Sequence, residues 1–220
     1  MDEQRRQMLR EILLSAAVLG VFGILGAALV AFTWSATADR IAFNERQMFL
    51  RNVYKLVPKQ EITNNLLKDV ITVRDPALST APVKVYRARH QGKPLALIFS
   101  PVQHPGYAGP IRLMVAIRAD GVLGGVRVLA HSETPGLGDR IDERKSDWIL
   151  GFSGKSLGNP PLEKWKVKKD GGVFDQFTGA TITPRRVVAA VTATLLYFKK
   201  THRRLFEAPA ETNPPNAPEH

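Results

Sequence analysis

The sequence contains no cysteine. A disulfide framework is therefore excluded, and so is any cysteine-ligated iron–sulfur cluster held by this chain. Histidine is scarce too, and His90, His104, His202 and His220 show no metal-ligand spacing. No glycine-rich phosphate loop is present, nor a Ser-His-Asp constellation. No catalytic residue and no metal site is expected. Acidic residues are outnumbered, with 20 Asp and Glu against 31 Lys and Arg, and the net charge is +11. Nucleic acid is one class of partner for such a chain. The basic residues are scattered, however, as at Arg112, Arg118, Arg127 and Arg140. The tighter groups at 164–169 and 199–204 lack an array of stacking aromatics, although Trp165 lies in the first. The charge is read as a solvated surface facing anionic lipid, with no nucleic acid as partner.

Charge is missing altogether from one stretch. It stops at Glu11 and returns at Asp39, and Ile12 to Trp34 is almost wholly apolar. At 1.5 Å per residue this run is long enough for a hydrocarbon core of about 30 Å. A cleaved signal peptide is the competing reading, because Ala36-Thr37-Ala38 has the small-x-small form of a cleavage site. The apolar run exceeds the ~7–15 residues of a secretory core, which favours a retained anchor. Gly20, Gly23 and Gly26 offer room for close approach by another helix. Arg5, Arg6 and Arg10 favour a cytoplasmic N-terminus, and a long C-terminal domain translocates largely regardless of its charge. The expected organisation is a cytoplasmic tail over 1–11, a membrane helix over 12–36, a helical stalk and linker over 37–82, a folded domain over 83–205 and a disordered tail over 206–220.

The domain reads as α+β. Residues 39–57 have helical spacing of Ile41, Met48, Val53 and Leu56, and Pro58 ends the run. Strands are expected over 83–90 and 94–100, around Gln91-Gly92-Lys93. A hairpin follows, with strands at 111–118 and 122–129 and an Asp120-Gly121 turn. Gly124-Gly125 inside the second strand suggests a bulge or a close backbone approach. Ser146 caps a short helix to Phe152. Trp165, Val167 and Val173 are placed in later strands or their edges. Strands followed by segregated helices, without a βαβ array, give the α+β class. The proline- and alanine-rich end of the chain lacks the apolar content to fold.

The densest signal is Asp175-Gln-Phe-Thr178-Gly179-Ala180-Thr181-Ile182-Thr183-Pro184. Thr183 is a suitable N-cap and Pro184 a suitable first helical residue. Val187, Val188, Val191, Leu195 and Phe198 form the apolar stripe of the helix. Thr181 thus lies where free helix N–H groups favour a phosphate. Gly179 and Ala180 let backbone approach a bulky group. Arg185 and Arg186 are placed to pair with phosphate oxygens. A capped helix after a tight turn, with no ligand, satisfies the same residues.

This stretch resembles the flavinylation motif of FMN-binding domains, found in the G subunit of the Rnf electron-transport complex and the C subunit of the sodium-translocating NADH:quinone oxidoreductase. A second block, His131-Ser-Glu133-Thr134-Pro135-Gly136-Leu137-Gly138 with Asp139 and Asp147-Trp148-Ile149, resembles the family's other characteristic segment. The resemblance implies an α+β FMN-binding domain preceded by a single N-terminal transmembrane helix. It implies FMN joined by a phosphoester to Thr181, attached by an FMN transferase. It places Thr178, Gly179, Ala180 and Ile182 beside the cofactor, with Glu133, Thr134, Gly136, Leu137 and Gly138 lining it. His131 is read as a structural hydrogen-bonder.

The form of the second block and the length of the chain favour the Rnf G subunit. The implied role is a redox-carrier subunit of a multi-subunit translocase, not a stand-alone catalyst, relaying electrons between NADH and ferredoxin sides. The implied partners are other membrane subunits of the complex and the membrane itself. The implied location is the bacterial inner membrane, with the soluble domain periplasmic. The alternatives are a component like the quinone-reductase C subunit, a free-standing extracytoplasmic flavin reductase, and a structural or regulatory membrane subunit without cofactor.

Overall fold

The computed structural model describes residues 2–211, apart from the side chains of Asp2 and Gln4. The chain divides into two compact units, with the boundary after Phe49. The first unit is helical, the greater part of helix α1 (Asp2–Leu56). Its residues 12–34 are exposed throughout, including Leu14, Phe22, Ile24 and Trp34 at 66–71%. A helix apolar around its whole circumference has no polar face to give to water. Length and composition are those of a membrane span.

The second unit begins at Leu50, in the last turns of α1, which continue the helix as the spacing of Val53 and Leu56 anticipates. An antiparallel sheet follows, made of β1 (Val70–Val73), β2 (Val83–His90), β3 (Lys93–Pro105), β4 (Pro110–Arg118) and β5 (Leu123–Ala130). The strands lie in chain order, β1-β2-β3-β4-β5, so each neighbour is reached by a hairpin or short connection. The Asp120-Gly121 turn forms, with Gly121 at φ +86° and Asp120 Oδ1 accepting from Val122 N at 3.0 Å. Gly124 marks a close approach, since a Cβ there would lie 2.6 Å from the Leu56 carbonyl oxygen. The pairing of β4 with β5 shifts register between Ala116 and Ile117, opposite this glycine pair.

Helix α2 (Ile182–Glu207) packs its stripe on one face of the sheet. Val187, Val188, Val191, Leu195 and Phe198 join Leu97, Phe99, Leu113, Val115 and Ile117 in a single core. Burying apolar side chains of this kind stabilises by about 1.5–3 kcal/mol each. A group of aromatic rings belongs to this same core. Phe152 stacks on Phe174 at 4.6 Å, and Trp148 meets Phe177 edge-on at 5.3 Å.

Four expectations about the elements and their limits change. The folded unit starts before residue 83, because β1 within the expected linker pairs with β2 from Val70↔Tyr86 to Val73↔Val83. Trp165, Val167 and Val173 are not in strands; Val167 makes only a lone bridge to Phe174, and short 3-10 turns flank it. The expected tail is ordered over its first residues: α2 runs to Glu207, Phe206 is buried, and Glu211 N donates to Val70 O at 3.0 Å. The rest of that tail, 212–220, lies outside the described residues. The fourth change concerns Thr183, which helps build the site. The Ser146 cap does form, accepting from Trp148 N at 3.3 Å ahead of a 3-10 helix, Asp147–Phe152.

Candidate functional site

The turn before α2 is made by four residues. Ala180 N donates to Phe177 O at 3.1 Å, and Gly179 sits at φ +82°. Only glycine takes that conformation without strain. Phe177 is buried and anchors the turn; the Arg140 guanidinium lies 5.3 Å above its ring. Trp148 Nε1 donates to Asp175 O at 2.8 Å, fixing the approach to the turn. Thr181 then occupies the N-cap position, half-buried, with α2 starting at Ile182. The first N–H groups of a helix have no partner within it, and they face whatever adjoins the N-cap.

Thr183 is not the N-cap. It lies inside the first turn, is buried, and its Oγ1 donates to Glu133 Oε2. The other carboxylate oxygen of Glu133 accepts from Tyr107 N at 2.9 Å and Ala108 N at 3.1 Å. Glu133 thus clasps three segments: its own loop, the 106–109 connection between β3 and β4, and the start of α2. It is 4% exposed. A buried carboxylate is tolerable when its lone pairs are met in this way. His131 supports the loop as expected, its Nδ1 accepting from Glu133 N at 3.2 Å.

The 133–139 loop turns on the Thr134 carbonyl, which accepts from Leu137 N and Gly138 N, both at 3.1 Å. Gly138 is packed so closely that a Cβ would lie 2.8 Å from Glu133 Oε2 and 2.9 Å from Thr183 Oγ1. Both sequence blocks therefore meet at one place. Between them is a cavity of about 340 Å³, lined by Glu133, Thr134, Leu137 and Gly138 from the first block and by Gly179 to Thr183 from the second, together with Tyr107. Gly136 and Thr178 are exposed residues outside this lining. Tyr107 and Thr183 are the lining residues that sequence reasoning did not assign to the site: Thr183 reads as a cap, and the only signal at Tyr107 is its place between Gly106 and Gly109-Pro110.

The two arginines expected to meet a phosphate do not line the cavity. Arg185 is engaged in a forked pair with Asp170, at 2.6 Å in both arms, and Arg186 is exposed. The Asp170 carboxyl is held below its ordinary range, chiefly by the hydrogen bond from Arg185, with desolvation opposing. Asp175 pairs with Lys168 at 2.5 Å, away from the cavity lining. Among the described residues, the lining carries a carboxylate, two threonine hydroxyls besides the Thr183 donor, and no basic side chain. Groups of three or more His, Cys, Asp or Glu able to hold a metal are absent among the described residues.

These features fit a flavin mononucleotide. The volume falls in the range of about 300–1,000 Å³ usual for small-molecule sites. Glycines stand where backbone must come close, and a helix start faces the opening. Residues 106–196 match the family model described as FMN-binding domain, and residues 8–56 match the RnfG N-terminal region. Among similar proteins, the G subunit of the ion-translocating oxidoreductase complex of Pseudomonas aeruginosa is 47% identical over 209 residues, covering 94% of this chain and 95% of the relative. Its counterpart in Shewanella loihica is 44% identical over 205 residues, covering 92% and 97%. That of Vibrio cholerae is 42% identical over 203 residues, with the same coverage. Matched along most of its length, through both the N-terminal region and the FMN-binding domain, the chain belongs to the family of Rnf complex G subunits.

Proposed function

We propose that this chain carries FMN covalently on Thr181 and relays electrons between the NADH and ferredoxin sides of an ion-translocating membrane complex, from the periplasmic side of the inner membrane. The observation that carries the covalent reading is the charge of the cavity. A phosphate monoester bears about −1.5 to −2 at neutral pH. The lining offers it a buried carboxylate, Glu133, and no cation. Helix N–H groups alone would hold a dissociable dianion poorly there. Esterification to Thr181 leaves a diester with a single charge, facing the start of α2, and replaces affinity by a bond.

FMN, when bound, supplies one- and two-electron chemistry through its ring. The protein's part is position. Gly179 and the Phe177–Ala180 turn present the Thr181 hydroxyl at the cavity edge. Gly138 and Glu133 keep the opposite loop against the start of α2. The location of Thr181 outside the cytoplasm is supported by Arg5, Arg6 and Arg10, which precede the apolar run. Other subunits of the complex and an FMN transferase are its partners in this reading.

Intact mass and in-gel fluorescence of the denatured chain test the attachment. The wild type, made with the transferase, should gain the mass of FMN less one water. Thr181→Ala should remain folded and gain neither mass nor fluorescence, while Thr181→Ser retains some labelling. Label persisting on Thr181→Ala would overturn the assignment. A reporter fused after Lys200 should be active only in its exported form, and cytoplasmic activity there would reverse the topology.

A further inference from the structure

Tyr107 is an unusual residue for its place. It is 70% exposed, yet it sits on a loop whose backbone is fixed. Gly106 N donates to Gly109 O at 2.8 Å, closing the turn. Tyr107 N and Ala108 N both donate to Glu133 Oε1. Gly106 is wedged: a Cβ there would run into the Glu133 carboxylate and lie 2.8 Å from Ile111 Cγ1. The ring is therefore held out from a rigid base, not carried on a loose loop tip.

Its backbone is also tied to the helix start that follows Thr181. The same carboxylate that takes the Tyr107 and Ala108 N–H groups on one oxygen takes the Thr183 hydroxyl on the other. Tyr107 and the first turn of α2 are thus one carboxylate apart, and both line the cavity. Of the lining residues, Tyr107 is the aromatic one. The remaining exposed apolar surface of the lining is aliphatic, Leu137 at 41% and Ile182 at 42%. An unused phenol ring and two aliphatic side chains around one opening make an apolar slot suited to a flat heteroaromatic ring.

We infer that Tyr107 packs its ring on the isoalloxazine of the FMN borne by Thr181, and that Glu133 is the positioning residue that sets this contact by clasping the Tyr107 loop to the start of α2. The inference rests on the attachment reading above. With the phosphate fixed at Thr181, on the lining of the cavity, the ribityl chain lets the ring lie against the cavity walls. The phenol then covers one face, and Leu137 and Ile182 border the other. The ring edge left open is available to an electron-transfer partner.

Flavin emission measures the contact directly. A phenol against an excited flavin quenches it by giving an electron that then returns, whereas a phenyl ring in the same place does not. Full-length wild type, Tyr107→Phe, Tyr107→Trp and Tyr107→Ala should each be labelled by the transferase and their loading checked by intact mass. Per flavin, the wild type and Tyr107→Trp should be strongly quenched. Tyr107→Phe and Tyr107→Ala should be several-fold brighter, and only Tyr107→Ala should also open the ring to collisional quenching by iodide. Glu133→Gln should brighten the flavin to a lesser degree, since its amide keeps an acceptor for the Tyr107 loop but loses one for Thr183. Labelled Tyr107→Ala with wild-type emission and wild-type iodide access would overturn the contact and leave the attachment standing. A wild-type chain that gains no flavin mass would overturn the attachment first, and the contact with it.

Discussion

The two ends of α2 are built in opposite ways. At the C-terminal end every feature serves closure. Arg87, 2% exposed, donates to Leu205 O at 3.1 Å and to Ala208 O, while Arg89 donates to Phe206 O at 2.7 Å. Both arginines share Asp69, at 2.6 and 2.8 Å. Cations and donors on helix carbonyls oppose the negative end of the dipole and satisfy groups the helix itself cannot. At the N-terminal end the cap residue makes no side-chain cap bond, the lining has no counter-charge, and glycines keep the space clear. One end spends its chemistry on holding the helix; the other leaves chemistry available for a ligand. The ion pairs that hold the helix and the open cap that faces the cavity are thereby separated by the length of one helix.

Substitutions at the two ends should therefore give different signatures. The largest change in stability is expected from Arg87→Leu. Removing one partner of a buried ion pair costs about 3–5 kcal/mol, and the lower end applies here because Asp69 retains Arg89 and Asn64. Chemical denaturation should show this loss, while the folded fraction still accepts flavin on Thr181. Loss of labelling in fully folded Arg87→Leu would break the separation.

Thr183→Ala should come next. It removes the hydroxyl that meets Glu133 Oε2 and leaves that buried oxygen with one donor fewer, at about 1.5–3 kcal/mol for a hydrogen bond to a charged group. Unlike a change at Arg87, it should also alter the emission of attached flavin. Gly138→Val should act at the same place by overpacking, at about 1–3 kcal/mol, because its side chain would press on Glu133 and Thr183. An unchanged flavin spectrum in both variants would show that the clasp does not shape the site.

The smallest effect is expected at the exposed pair of the first turn. Arg185 holds Asp170 below the usual carboxylate range. A folded pKa below the unfolded one means the contribution is present above the unfolded value and is lost as pH falls through the folded value. Both groups are exposed, so screening keeps it slight. Asp170→Asn should leave thermal stability at neutral pH almost unchanged and should slightly flatten its decline in acid. Labelling of Thr181 should not respond, because neither Arg185 nor Asp170 lines the cavity.

Local chemistry in the sequence anticipated what local chemistry decides. The Asp120-Gly121 turn set the β4–β5 hairpin, and the stripe from Val187 to Phe198 set the face of α2. The glycine of Thr178-Gly179-Ala180 did announce a tight turn. Contacts across long separations were not legible. Thr183 beside proline reads as a cap, but its hydroxyl is claimed by Glu133, fifty residues earlier. Arg185 reads as a phosphate ligand, but Asp170 takes it from a 3-10 turn. Val70–Val73 is too short and too closely flanked by charge to announce a strand; β2 and the Thr72–Glu211 contact make it one. Phe206 reads as the edge of a polar tail because the arginine that meets it, Arg89, lies in β2. Tyr107 was passed over because an aromatic in a loop has no periodicity to betray it.

The chain order of the sheet has a consequence for timing. A meander pairs each strand with the one made just before it, so its contacts are short in sequence and can close early. Glu133 follows closely on β5, but the cavity's other wall lies further along the chain. In chain order that wall comes last, with the turn at Phe177–Ala180 and with α2, which packs across the sheet. A partly folded chain can hold the whole sheet and present no finished site around Thr181. An enzyme that modifies this threonine only in its folded setting would read the final step of assembly, and the flavin would mark the molecules that had completed it.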